Sequence, residues 1–187
     1  MTEIEELFSQ LSQHMIEGLM THSQLCDYFN FLGLKGYSQC HKYHYFEENN
    51  NYKQLCDYYL NHYNKLIEEQ PFKNPDIIPK NWYQFTKQDV KPELRKVAIQ
   101  SGFTKWIEWE TKTKQLYSNI YQQLLGFDNA AAALEISKYL VDVDNELSQA
   151  EQKKLTLDAM GYDMPNIIAE QEEIGRASCR ERVFLTV

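Results

Sequence analysis

The chain has 187 residues, enough for one domain with a sizeable core, and its 13 Tyr and 9 Phe make that core aromatic. A formal net charge of −8 excludes a nucleic-acid role driven by phosphate contact, and no apolar run approaches the ~18–20 residues that span a bilayer. Seven Gly, five Pro and sparse Val favour helices over strands; four Cys without C-x-x-C spacing, and no targeting segment, read as free thiols of a cytoplasmic protein.

The first predicted helix covers about 3–32. Its inward stripe is Ile4, Phe8, Leu11, Met15, Leu19, His22, Cys26 and Phe29. Thr2 and Glu5 form a capping box signal, with Glu3, Glu5 and Glu6 in the first turn. Gly18, beside the stripe, lets a neighbouring helix come close. His22 is the one ionisable group well inside the stripe, whereas Glu17 projects to nearly the opposite side. Gly33 and Gly36 bound a short turn, so the next helix is its antiparallel neighbour.

The second helix is predicted over about 37–69. Centred on Leu55, its inward stripe is Tyr37, His41, His44, Glu48, Asn51, Leu55, Tyr59, His62 and Leu66. The lower half is ordinary core. The upper half carries imidazoles, a carboxylate and an amide where a helix is normally dry, and a buried charge is costly unless paired or metal-bound. His14 and His62 are expected at the bundle ends or on the surface. Asn49, Asn50 and Asn51 weaken the helix locally unless tertiary contacts hold it.

Residues 70–91 contain Pro71, Pro75 and Pro79, which exclude a continuous helix, together with Phe72, Ile77, Ile78, Trp82, Tyr83 and Phe85. That pattern predicts a long crossover packed along the bundle. A third helix is expected over about 92–125, opened by Pro92 and bent at Gly102. Glu110 lies amid its stripe of Phe103, Trp106, Ile107, Tyr117, Ile120, Tyr121 and Leu124, the position of a buried carboxylate. A fourth helix, about 130–157, is capped by Asp128 or Asn129 and carries the seam Ile136, Leu140, Val143, Leu147 and Ala150. Glu146 and Tyr139 flank that seam, Asp142 lies further round and Asn145 points outward. Gly161 and Pro165 end the regular pattern before a short fifth helix or a tail.

Residues 174–187 differ in kind. Ile174 to Val183 resembles an in-frame translation of a common sequencing adaptor, ATC-GGA-AGA-GCG-TCG-TGT-AGG-GAA-AGA-GTG. Arg176, Arg180 and Arg182 follow a chain whose one earlier Arg is Arg95. This tail is expected to be non-native, and Cys179 carries no weight.

Four long helices with a short first loop and a long second crossover resemble the ferritin-like superfamily, an all-α, up-down-down-up four-helix bundle with its metal inside. Members often place a glycine at the start of the second helix and, about a dozen residues on, the Glu of a Glu-x-x-His motif. Gly36 and Glu48 stand in that relation, and Asn51 stands where the His is expected. The resemblance implies that Glu48 is the bridging carboxylate and that Glu110 is its third-helix counterpart. On the fourth helix, Asp142 to Asn145 or Val143 to Glu146 lies where a second such motif falls, without His. With an amide in place of imidazole, the implied site is rearranged: Glu48, Glu110, Glu146, His22 and His44, with Asn51 alongside, holding iron. Ferroxidase-like oxidoreductase chemistry belongs to such a site. A looser similarity, to miniferritins with metal ligands between subunits, points to His41 and Asp57.

A second reading stays open. Tyr hydroxyls or imidazoles can satisfy Glu48 and Glu110, leaving a non-enzymatic helical-bundle interaction or structural protein without metal. Leu7, Ile16, Met20, Tyr45, Tyr58 and Tyr63 then form a further apolar face, and a homodimer or higher homo-oligomer is expected, with neither nucleic acid nor membrane as partner.

Overall fold

The structure is a computed structural model that describes residues 2–68 and 70–171. Among them are four long helices, α1 (Glu3–Phe31), α2 (Lys35–Tyr63), α3 (Pro92–Gly126) and α4 (Ala130–Ala159), a 3-10 turn at Lys80–Gln84 and a short helix over 164–171; no strand is present among the described residues. The expected tail at 174–187 lies outside the described residues.

Local chemistry sets the ends. The Thr2 hydroxyl accepts from the Glu5 N–H at 3.3 Å while the Glu5 carboxylate accepts from the Thr2 N–H at 2.6 Å, so the capping box forms. α1 stops where Gly33 turns left-handed at φ +84°: Gly33 N–H bonds the Asn30 carbonyl and Leu34 N–H the Phe29 carbonyl, a Schellman ending. α2 ends earlier than expected, at Tyr63, because Asn64 adopts the left-handed conformation at φ 52°. The same ending recurs after α3, with Asp128 at φ 60° carrying the turn in place of Gly126.

Contacts fix the topology. Phe8 meets Tyr59 and His22 meets His41, so α1 and α2 are antiparallel. His14 bonds Thr113 while Gly102 faces Phe29, so α1 and α3 are antiparallel and α2 runs parallel to α3. Tyr117 against Tyr139 and Glu110 beside Glu146 make α4 antiparallel to α3. The order is up-down-down-up, as expected. The crossover travels the length of α1: Ser9 bonds the Glu68 carbonyl, Gln13 that of Pro71, Gln24 the Ile77 N–H, and Tyr28 meets Trp82.

The buried face of α1 is rotated slightly from the expected stripe. Gly18, Thr21 and Leu25 are buried while Leu19 and Cys26 are half-buried. α3 runs unbroken through Gly102, where a Cβ would stand 2.9 Å from Phe29 Cε1, so the glycine admits that ring. The further apolar face expected on α1 and α2 is used in part inside the bundle, with Ile16 and Met20 half-buried. Leu7 is core, and Tyr58 and Tyr63 pack on Phe8, leaving Tyr45 exposed.

Gly36 has a separate task. A Cβ there would meet Cβ and the carbonyl oxygen of Gln171 at 2.9 Å, where the Gly36 N–H donates to Gln171 Oε1 at 2.8 Å. The short helix over 164–171 thus docks on the start of α2, with Ile167 fully buried. Gly36→Ala is expected to overpack this contact and cost about 1–3 kcal/mol, read as a lower urea midpoint at unchanged slope.

Candidate metal centre

The core divides into two apolar clusters. One, around Phe29, Tyr37, Phe103 and Trp106, fills the end that holds the α1–α2 turn. The other, around Phe8, Leu11, Leu55 and Tyr117, fills the opposite end. Between them lies a polar belt, to which every long helix contributes. α1 gives His22, α2 gives His41, His44 and Glu48, α3 gives Glu110 and α4 gives Glu146, each less than one-tenth exposed.

Two groups of ligand-type atoms converge in that belt. Donor atoms of His22, Glu110 and Glu146 all lie within 4.8 Å of one another, as do those of His44, Glu47 and Glu146. Glu146 belongs to both. His22 Nε2 stands 3.6 Å from Glu110 Oε1. That is long for a hydrogen bond but fits two donors of one ion, which at bond lengths of about 2.0–2.2 Å lie roughly 3.0–3.6 Å apart. His44 Nδ1 donates to Glu146 Oε1 at 2.8 Å, and Glu47 Oε2 lies 3.7 Å from the same nitrogen. Trp106 Nε1, one turn before Glu110, donates to Glu110 Oε1 at 3.0 Å and orients it. Glu48 fills the space that Gly18 leaves open: its Oε1 stands 3.3 Å from where a Gly18 Cβ would be.

Protonation follows from burial and neighbours. Burial would push His44 down, but the Glu146 carboxylate, with the hydrogen bonds that the imidazole donates to its neighbours, holds it well above the usual imidazole range. Burial would push Glu146 up, yet His44 keeps it below the ordinary value, so the two form a buried ion pair. Burial, and then the Glu146 charge, push Glu110 well up and Glu48 up to about 8. His22 is pushed down to about 3 by burial and by His44, and His41 well below its ordinary value by burial and both imidazoles. These shifts favour an ion pair of His44 with Glu146, protonated carboxyls on Glu110 and Glu48, and neutral imidazoles at His22 and His41.

Satisfaction is incomplete. His22 and His41 meet through their Nδ1 atoms at 3.2 Å, which leaves His22 Nε2 and His41 Nε2 without partners. Glu48 Oε2 and Glu110 Oε2 are also buried and unpartnered. Buried polar atoms are ordinarily bonded, and four such atoms on imidazole and carboxyl groups in one layer make a donor set suited to a cation.

The sequence-predicted residues separate accordingly. His22, Glu110, Glu146 and His44 are brought together. Glu48 shares the layer but belongs to neither converging group, and Asn51 is half-buried. His41 does not face outward towards a subunit boundary; it is fully buried between Phe29 and Trp106, while Asp57 is exposed. His14, expected at an end or surface, is buried, stacked on Trp109 at 4.5 Å and bonded to Thr113 at 2.8 Å. Glu17 is half-buried on the α1–α3 seam and pairs with Lys112. Sequence reasoning missed Glu47, which sits one residue off the inward stripe and reaches the belt from the α2–α4 seam.

No family model matches the chain, and no curated protein matches it in sequence. Solved structures do match over nearly the whole length. A structure described as an open-pore ferritin from Archaeoglobus fulgidus has a TM-score of 0.74 at 14% identity, covering 94% of this chain and 96% of that one. A humanized archaeal ferritin gives 0.76 at 17%, covering 94% and 97%. A PmFTN variant soaked in iron gives 0.73 at 12%, covering 90% and 96%. At such identities the likeness speaks for the fold alone, and together with the connectivity derived from the contacts it gives the chain the four-helix-bundle fold that those ferritins have.

Proposed function

We propose that this bundle handles iron at a rearranged site inside it, with His22, Glu110 and Glu146 as the ligands and His44 and Glu48 beside them. The observation that carries this reading is the approach of the His22 and Glu110 donor atoms to 3.6 Å, with partnerless atoms on both side chains. Asn51 lies outside the ligand set we propose. Iron as substrate would bring one-electron exchange with dioxygen, the ferroxidase-like chemistry that the sequence resemblance implies; one neighbour of the same fold is a PmFTN variant soaked in iron.

The chain's own residues do the rest. Trp106 fixes the Glu110 carboxyl, the two apolar clusters keep bulk water from the belt, and Glu146 can turn from His44 to a cation. Binding requires Glu110 to release its proton, and a cation beside Glu48 favours release of that proton too, so affinity rises with pH. The test is anaerobic Fe(II) titration of metal-free protein, followed by native mass spectrometry. Stoichiometric binding is expected, lost in a His22→Gln, Glu110→Gln double variant; equal uptake by the variant overturns the proposal.

A second reading, a metal-free interaction or structural protein, draws on a different observation. Leu134, Val141 and Leu155 are 67, 61 and 68% exposed at heptad spacing on the outer face of α4. Under either reading we propose a homodimer or higher homo-oligomer, which light scattering measures. Under the second, Fe(II) titration is flat for both proteins. No helix among the described residues is long and apolar enough to cross a membrane.

A further inference from the structure

The crossover and the end of α1 close round a second site built from other chemistry. Between them lies a cavity of about 290 Å³, near the lower limit of the roughly 300–1,000 Å³ typical of ligand pockets. Five of its seven lining residues are aromatic: Tyr28 and Phe31 from α1, and Trp82, Tyr83 and Phe85 from the crossover. Asp27 brings the one charge.

The rings form corners, not a flat stack. Tyr28 and Phe31 stand at 81° and 78° to the Trp82 plane, with centroids 5.5 and 6.0 Å away. Phe85 meets the same plane at 61° and 5.5 Å. Trp82 and Tyr28 are buried, whereas Tyr83 is 70% exposed and Asp27 is exposed, so the aromatic floor lies inside and the acid stands towards solvent. The Tyr28 ring lines the cavity beside Ile78, and its hydroxyl is buried without a hydrogen-bond partner.

Ring faces carry negative charge density and attract a cation that sheds its water, and a carboxylate strengthens the pull. A primary ammonium needs acceptors for its N–H groups, which rings supply poorly. A fully methylated ammonium has no N–H to satisfy and a surface of methyl groups that packs on rings. Elsewhere this chain covers ring faces with its own cations, Lys96 over Tyr162 at 5.7 Å and Lys112 over Trp109 at 5.2 Å. Among the described residues no such contact falls on the rings of this cavity.

We propose that the cavity binds a quaternary trimethylammonium group, with the rings against its methyls and Asp27 balancing its charge. The site is independent of the polar belt, and its test uses the full chain stripped of metal. Isothermal calorimetry with tetramethylammonium and choline chlorides is compared with 3,3-dimethylbutan-1-ol, the uncharged isostere of choline. Saturable millimolar binding of both cations is expected, with the alcohol at least about tenfold weaker. Asp27→Asn and Tyr83→Ala change exposed side chains, so the fold is retained, checked by circular dichroism melts. Each is expected to weaken the cations by about 3–10-fold while barely moving the alcohol. A peptide carrying trimethyl-lysine forms a further arm. Tighter binding than the free cations assigns the group to a modified protein, and equal or weaker binding assigns it to a small solute. Equal binding of alcohol and cations, cation binding untouched in both variants, or no saturable binding overturns the proposal.

Discussion

Glu146→Gln is expected to lower the stability of the metal-free protein by about 3–5 kcal/mol, the cost of leaving a buried charge without its partner. The Glu146 and His44 side chains are 11% and 6% exposed and 2.8 Å apart, so little solvent screens them. The pH dependence has a definite sign. His44 is raised, so its contribution is complete below the ordinary imidazole value of 6.5 and fades as pH climbs through its folded value. Glu146 is lowered, so its contribution is complete above 4.5 and fades as pH falls through its folded value. The loss in the variant is therefore largest between 4.5 and 6.5 and shrinks towards alkaline pH. Urea unfolding at about pH 6 and pH 9 measures both ends of this range. A His44→Phe, Glu146→Leu double variant recovers most of the loss, since an apolar pair of similar size replaces the ion pair without orphaning either charge. If the single variant is as stable as the parent at pH 6, the buried ion pair is not what holds α2 to α4.

The fold was readable because it rests on periodicity and punctuation. Helical stripes placed Glu48, Glu110 and His22 inside, and the prolines of the crossover with its aromatic residues announced a packed connection. What escaped depends on atoms more than on faces. Asn64 ends α2 early through one left-handed residue, which composition does not distinguish from an Asn within a helix. His14 lies where the stripe on α1 was rotated by one position, and a rotation of that size moves a side chain from rim to core. Glycine roles were legible only in part. Gly18 was placed at a close approach, but what approaches is the Glu48 carboxyl and the Trp109 ring, not another backbone. Glu47 illustrates the limit most clearly: a stripe counts it as outside, yet its long side chain reaches back to His44. The pairing of His44 with Glu146 joins residues far apart in sequence, and no local pattern encodes it.

The opposite sign is expected at Glu48. Its carboxyl is pushed up to about 8 by burial, then by the Glu146 charge, against an ordinary value of 4.5. A raised carboxyl means that the folded state holds a proton the unfolded chain has lost, so stability falls as pH rises from 4.5 to about 8. Glu48→Gln keeps the shape, removes the titration and leaves the space made by Gly18 filled. It is expected to stabilise the metal-free protein by about 3 kcal/mol near pH 7, with little effect below pH 4.5. Thermal melts across that range read the difference directly. In the same variant Fe(II) affinity is expected to fall by about 10–100-fold, the usual loss when a group supporting the ligands is removed, and its pH dependence to flatten. Gain of stability with loss of metal binding would mark a carboxyl kept at a cost for its ligand. Gain of stability with unchanged binding would mean that Glu48 sits beside the site without serving it. A loss of stability would mean that the Glu48 oxygens have partners in solution, and the reading of the belt as a donor set waiting for a cation would lose one of its four orphaned atoms.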